Sequence, residues 1–369
     1  MACLVGSVSS TPILIKENSC LWSLRLLASR ASTSISNNAV EAMVPSVFQR
    51  GSSSIQTFKV KAMQREEFKR RFPPQHQDGQ PGKEYLMDPL PIFSNPHYQP
   101  TNKLKGKVAL VTGGDSGIGR SVCYFFAKEG ATIAFTYVKG VEDIDAKYTL
   151  EMINDSKMSY AGDPIAIPAD LRYDKQCKKV VDEVVSKYGR IDVLVNNAAV
   201  QYATYTLDNI TEERLERIFR TNIFSYFFMT RHAIKHMKPG SNIINTTSVL
   251  GFAGSAKLID YASTKGAIMN FTKSLAIFLI DKGIRVNGVA PGPIWTPLTA
   301  TLDDEDIATF GSQAPMNRAA QPVEVGSSYV FLASEDASYY TGTFLHPDGG
   351  ELDKNAIPRV DNNKNSENP

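Results

Sequence analysis

Lys107 to Gly130 reads "KVALVTGGDSGIGRSVCYFFAKEG", and its reading decides the architecture of most of the chain. A short apolar run stops at four glycines within seven positions, Gly113, Gly114, Gly117 and Gly119, and gives way to apolar residues at helical spacing. The pattern is strand, glycine turn, helix. At such a turn glycine permits positive φ and close approach of a ligand to the backbone. The free N–H groups that open the helix, with the positive end of its dipole, favour a pyrophosphate. A turn that binds nothing would show the same local pattern, so the chemistry has to be sought elsewhere in the chain.

Downstream the alternation continues. Strand-like runs at "ATIAFTY", "PIAIPA", "IDVLVNN", "NIINTT", "IRVNGVA" and "GTFLHPDGG" are separated by segments of helical period such as "DKQCKKVVDEVVSKYG" and "NFTKSLAIFLIDKG". Strands alternating with helices imply right-handed crossovers and a parallel sheet covered on both faces. The predicted fold is α/β: a single doubly wound Rossmann domain over residues 104–352, with a central parallel sheet and helices on both faces.

The flanks differ from this middle. Residues 1–60 are Ser-rich, with Lys16, Arg25, Arg30, Arg50 and Lys59 set against Glu17 and Glu41, the composition of an organelle transit peptide. Their apolar pieces are too short to span a bilayer, and no membrane partner is expected. The scattered serines favour the chloroplast over the mitochondrion, while a start at Met43 or Met63 would leave a cytosolic form. Residues 61–103 include "FPPQHQDGQPGKEYLMDPLPIFSNPHYQP", too rich in proline for regular structure. They read as an extended arm whose Tyr85, Leu86, Ile92, Phe93 and Tyr98 pack on the core or on a neighbouring subunit. Residues 353–369 read as a disordered polar tail. A formal net charge of +2 is too balanced for dedicated nucleic-acid binding. Cys3, Cys20, Cys123 and Cys177 form no close pair or zinc cluster, which implies reduced thiols, and no metal site is expected from His97, His232, His236 and His346.

Six further features stand in order behind the glycine turn, whose own spacing is given first. Thr112, Gly113, Gly117 and Gly119 are spaced T-G-x-x-x-G-x-G; "NNAA" spans Asn196 to Ala199; Asn222 lies in "RTNIFS"; Ser248 closes "NIINTTSVLG", thirteen residues before Tyr261; "YASTK" holds Tyr261 and Lys265; "APGPIWT" and "HPDGG" follow. On these residues the chain resembles the short-chain dehydrogenase/reductase family over the whole predicted domain. Including the arm, it is similar to a plant group of that family whose members are described as aldehyde reductases or as glucose and ribitol dehydrogenases.

The resemblance implies a catalytic set of Asn222, Ser248, Tyr261 and Lys265. A phenol with an ordinary pKa of about 10 is a poor proton donor or acceptor at neutral pH, and the ammonium of Lys265, four residues on along one helix face, would lower it. Ser248 would hold the carbonyl oxygen, Lys265 the ribose hydroxyls, and Asn222 a water linking Lys265 to solvent. Cofactor contacts are implied at Thr112, Gly113, Ser116, Gly117, Ile118, Gly119, Tyr137, Lys139, Asp170, Asn196, Ala198, Pro291, Gly292, Ile294 and Thr296, with Tyr261 and Lys265 shared. Tyr137 stands where an acid would select NAD, and Lys139 follows, which favours NADPH over NADH. Against that, Asp115 and Ser116 occupy loop positions where many NADP-dependent members carry a base.

Val200, Tyr202, Phe252 and Trp295 are candidates for an apolar pocket wall, with the acidic "LDDEDI" as the solvated end of a lid. The expected activity is NADPH-dependent reduction of a small-molecule aldehyde to its alcohol, by a homotetramer or homodimer built through the long apolar helices. Two alternatives remain: an NAD(P)-dependent dehydrogenase of sugars or polyols, and a non-catalytic NAD(P)-binding redox sensor, for which an intact catalytic quartet would be superfluous.

Overall fold

The computed structural model describes residues 72–352. The predicted transit peptide, the start of the arm and the polar tail lie outside the described residues.

Period-two alternation places each strand between two apolar layers. In β1 (Val108–Val111), Val108 and Leu110 join one core cluster while Ala109 and Val111 join another. β2 (Thr132–Tyr137) likewise separates Ala134 from Ile133 and Phe135, and β4 (Val193–Asn196) separates Leu194 from Val193 and Val195. β1 and β4 are buried along their whole length, as strands covered on both faces must be. With β3 (Ile165–Pro168), β5 (Asn242–Thr246), β6 (Arg285–Val289) and β7 (Phe344–Leu345) they form one parallel sheet in the order β3-β2-β1-β4-β5-β6-β7. The chain runs outward from β1 in one direction and from β4 in the other. The crevice of this fold therefore opens at the C-terminal ends of β1 and β4.

On one face α1 (Gly117–Lys128), α2 (Asp143–Ser156) and α9 (Pro322–Ala333) bury Val122, Phe125, Phe126, Ile153, Val325 and Tyr329. On the other, α3 (Asp174–Tyr188), α5 (Ser225–Ala233) and α7 (Ile259–Leu279) bury Val180, Val184, Met229, Ala276 and Leu279. α4 (Glu212–Phe219) runs into α5 through a π turn, Arg220–Phe224. Two short helices, α6 (Leu250–Ala253) and α8 (Asp304–Ala308), complete the set.

The arm is extended apart from a 3-10 turn at Glu84–Leu86. Phe93 and Tyr98 pack against the core beside α1, as expected. Tyr85, Leu86 and Ile92 instead stay exposed. The apolar anchors are Met87, clustered with Trp295, Leu302 and Ile307, and Phe72, whose ring stacks on Trp295 at 3.7 Å. A proline-rich segment has no fixed period, so its sequence does not tell which apolar residue turns inward.

Candidate active site

Between β1 and α1 the backbone turns through Gly113 at φ +60° and Gly117 at φ +50°. A Cβ on Gly119 would stand 1.9 Å from the Gly113 oxygen, and one on Gly117 would meet Thr296 at 3.1 Å. Only bare Cα atoms allow this cradle. It borders a cleft of about 500 Å³ at the C-terminal ends of β1 and β4. Ile118 lines the cleft, and its amide, in the first turn of α1, has no intrahelical acceptor. A glycine cradle and a helix N-terminus on one elongated cleft fit the phosphates of a dinucleotide.

Of the expected cofactor contacts, Gly113, Ser116, Gly117, Ile118, Tyr137, Asp170, Ala198, Pro291, Gly292, Ile294 and Thr296 line the cleft with Tyr261 and Lys265. Four do not. Thr112 is a latch: its Oγ1 accepts the N–H groups of Asn197 and Ala198 at 2.8 and 3.1 Å. Gly119 lies beneath Gly113 and serves the turn. Lys139 is exposed beyond β2 and lines no part of the cleft. Asn196 is fully buried and donates to Asn245 Oδ1 and, on α5, Thr230 Oγ1, because strand alternation turns it towards that helix. The cleft position belongs to its neighbour Asn197, whose Nδ2 donates to the carbonyls of Thr112 and Gly113.

Ser248, Tyr261 and Lys265 meet at the cleft, all under a tenth exposed. Lys265 donates from Nζ to the Thr246 carbonyl at 2.9 Å and lies over the Tyr261 ring, 5.3 Å from its centroid. Burial pushes the Tyr261 phenol up, with Ser248 beside it pulling the other way, and burial lowers Lys265 to about 7. The expected drop in the Tyr261 pKa is therefore not present in the protein alone. Desolvation weakens the ammonium that was to cause it.

Asn222 sits in the π turn, fully buried. Its Oδ1 accepts from Val200 N at 2.8 Å, and its Nδ2 donates to the Val200 carbonyl and to Thr264 Oγ1. Protein groups thus occupy this amide. A water associated with Asn222 would have to use its main chain, and a π turn is where the helical ladder is interrupted.

At the adenosine end expected from the order of the strands, the structure adds one carboxylate that the sequence reading overlooked, beside Asp115. Glu142, five residues past β2, accepts from Val138 N at 2.6 Å and lines the cleft with Asp115. Asp115 is 1% exposed and its Oδ2 has no partner. Burial lifts Asp115 to about 7, and burial followed by the charge of Asp115 lifts Glu142 well above the carboxylate range. Asp170 holds Arg172 in a paired salt bridge at the same end, and both line the cleft. The only sequence signal for Glu142 was an acid five residues past the strand-like run "ATIAFTY".

On the substrate side, Val200, Leu250, Leu258 and Leu298 surround Tyr261. Of the expected wall residues, Val200 and Tyr202 both pack in this cluster, and Val200 lines the cleft. Trp295 is fully buried under the arm and donates to the Pro89 carbonyl, Tyr202 packs beneath Arg214 and Arg217, and Phe252 packs on Phe344 and His346. The acidic "LDDEDI" forms α8, capped by Asp303 and anchored by buried Ile307. Its Asp306 pairs with Lys257, another cleft residue, at 2.6 Å. The arm also reaches the site: Gln80, Pro81 and Gly82 line the cleft.

Residues 113–351 match a protein family described as Enoyl-(Acyl carrier protein) reductase. The chain is 65% identical over 283 residues to a Daucus carota protein named glucose and ribitol dehydrogenase, covering 76% of this chain and 97% of the relative. It is 64% identical over 280 residues to an Arabidopsis thaliana protein named NADPH-dependent aldehyde reductase 1, chloroplastic, covering 75% and 97%. Among solved structures, a Burkholderia cenocepacia short-chain dehydrogenase in complex with NADP superposes with a TM-score of 0.62 at 29% identity, covering 68% of this chain and 99% of that one.

Proposed function

The chain belongs to the short-chain dehydrogenase/reductase family of NAD(P)-binding oxidoreductases, and we propose that it reduces aldehyde carbonyls to alcohols with NADPH. The observation that carries this reading is the meeting of Ser248, Tyr261 and Lys265 below an apolar wall, beside a cleft with a glycine cradle. The name of the Arabidopsis relative supports it.

A bound NADPH supplies the hydride. The carbonyl oxygen then lies against Ser248, whose hydroxyl donates to it as negative charge develops. Tyr261 gives up its phenolic proton to that oxygen. Its high proton affinity favours the donor form before reaction, and Lys265, when protonated, stabilises the phenolate afterwards. Lys265 would also hold the ribose hydroxyls of the bound dinucleotide, and Asn222 keeps the π turn packed against Thr264 and Val200. The four-residue interval between Tyr261 and Lys265 favours carbonyl over enoyl chemistry. Tyr137 in place of an acid and Arg172 at the adenosine end support NADPH, and Asp115 and Glu142 oppose it less because burial favours their neutral forms.

Residues 1–60 act as a chloroplast transit peptide in this reading, and the protein works as a homo-oligomer. Exposed Phe224, Phe227, Ile277 and Phe278 support a subunit contact. The Daucus relative's name favours a second reading, oxidation of a sugar or polyol. Initial rates of nicotinamide absorbance change decide between them, with NADPH and a medium-chain aldehyde against NADP+ or NAD+ with glucose or ribitol. Faster sugar oxidation, or a preference for NADH, overturns the reductase reading. Tyr261→Phe should lower turnover by about 10²- to 10⁴-fold with NADPH affinity kept. Unchanged turnover would remove Tyr261 from the chemistry.

A further inference from the structure

Resting on the reductase reading, we propose that two residues of the arm are positioning residues, Gln80 for the carbonyl substrate and Glu84 for the dinucleotide. Both are buried, and they lie four positions apart on a segment that crosses from the substrate end of the cleft to the glycine turn.

Gln80 holds the wall next to Tyr261. Its Nε2 donates to the Leu298 carbonyl at 2.9 Å and to Thr301 Oγ1 at 3.0 Å, and its own carbonyl accepts from Arg217 of α4 at 2.7 Å. Gln201 Nε2 reaches the same Leu298 carbonyl at 3.0 Å, and Gln77 N donates to Ala300. Leu298 packs with Tyr261, so the arm and the loop after Asn197 together fix a side chain that the substrate must touch. The segment they hold, Pro297–Thr301, is only a 3-10 turn, a poor hydrogen-bonder by itself. The arm lies flush on it: a Cβ on Gly82 would stand 2.3 Å from the Pro297 oxygen.

Glu84 holds the other end. One carboxylate oxygen accepts from Gly117 N, the first amide of α1, at 2.6 Å, and the other pairs with Arg120. Arg120 also contacts Asp145 of α2, and Asp145 accepts in turn from the amides of Glu84 and Tyr85. Arm, glycine turn and α2 are locked through one buried ion cluster. An amide in place of the Glu84 carboxylate cannot serve both partners, because its NH2 would face either Gly117 N–H or the Arg120 guanidinium, two donors.

The test uses the purified full chain, with NADPH affinity read from protein fluorescence, KM for a medium-chain aldehyde read from turnover, and thermal unfolding recorded alongside. Glu84→Gln should weaken NADPH binding on the order of tenfold and shift the aldehyde KM by less than about twofold. Gln80→Ala should raise the aldehyde KM on the order of fivefold and leave NADPH binding within about twofold. Glu84→Asp, which keeps the charge but shortens its reach, stands in should Glu84→Gln not fold, with the same expected shift. Variants that move both constants together, move neither, or bind NADPH more tightly overturn the proposal. A wild-type protein that binds NADPH but turns over no aldehyde overturns the reductase reading alone. NADPH binding still tests Glu84, and Gln80→Ala is then read on the KM for ribitol.

Discussion

Replacing Gly119 by alanine tests whether the glycine turn is a cradle set by contact. The new Cβ would stand 1.9 Å from the Gly113 oxygen and 2.9 Å from Asn197 Nδ2. Relief requires the Gly113 peptide to retreat by about 1 Å, which withdraws backbone contacts from a bound dinucleotide and should weaken NADPH on the order of tenfold or more. Gly113 is held by Thr136 Oγ1 at its N–H and by Asn197 Nδ2 at its carbonyl, each at 3.1 Å. Losing both bonds at about 1 kcal/mol each, with backbone strain added, gives a destabilisation of about 2–4 kcal/mol. Fluorescence titration with NADPH and urea unfolding read the two effects separately. Gly79→Ala is the control, since nothing lies within 4 Å of its Cβ. Gly119→Ala binding NADPH within about threefold of the wild type would refute the reasoning, because the turn would then tolerate a shift of this size.

Two further predictions concern titration. Lys265, at about 7 in the folded protein and about 10.4 when unfolded, is held neutral by the native state between those values while the unfolded chain stays protonated. Stability therefore rises with pH across that window, by up to about 1.4 kcal/mol per pH unit. Lys265→Met should remove that rise from urea unfolding curves, and parallel wild-type and variant pH profiles would contradict it. Asp115 loses its proton as pH rises through about 7 beside Glu142, adding negative charge at the adenosine end of the cleft. The preference for NADPH over NADH should fall several-fold, on the order of 1 kcal/mol, across that step. Glu142→Gln should flatten the fall, and a wild-type preference independent of pH would contradict the placement of the 2′-phosphate beside this pair.

Where local covalent pattern and packing period agree, the sequence was a sufficient guide. Alternating Val, Ile and Leu in runs such as "KVALVT" and "IDVLVNN" can be buried only between two layers, so the seven strands and the parallel sheet were legible. Tyr261 and Lys265 were legible because four residues of helix bring them to one face. That the Asn196 side chain turns away from the cleft while Asn197 turns towards it was not legible, because the last residue of a strand faces one side or the other according to its register, which spacing alone does not show. Trp295 and Phe252 were expected in the pocket because large aromatics serve a wall and a core equally well.

The sequence by itself determined the sheet and the glycine turn, which rest on helix and strand period, and through its family resemblance it pointed to Asn222, Ser248, Tyr261 and Lys265 as the candidate site. Only the tertiary structure decided what surrounds them. Gln80 meets Leu298, Glu84 meets Arg120 and Phe72 meets Trp295 across separations that carry no periodic signal. The proton affinities of Lys265 and Asp115 likewise come from burial, which no residue carries in its own identity.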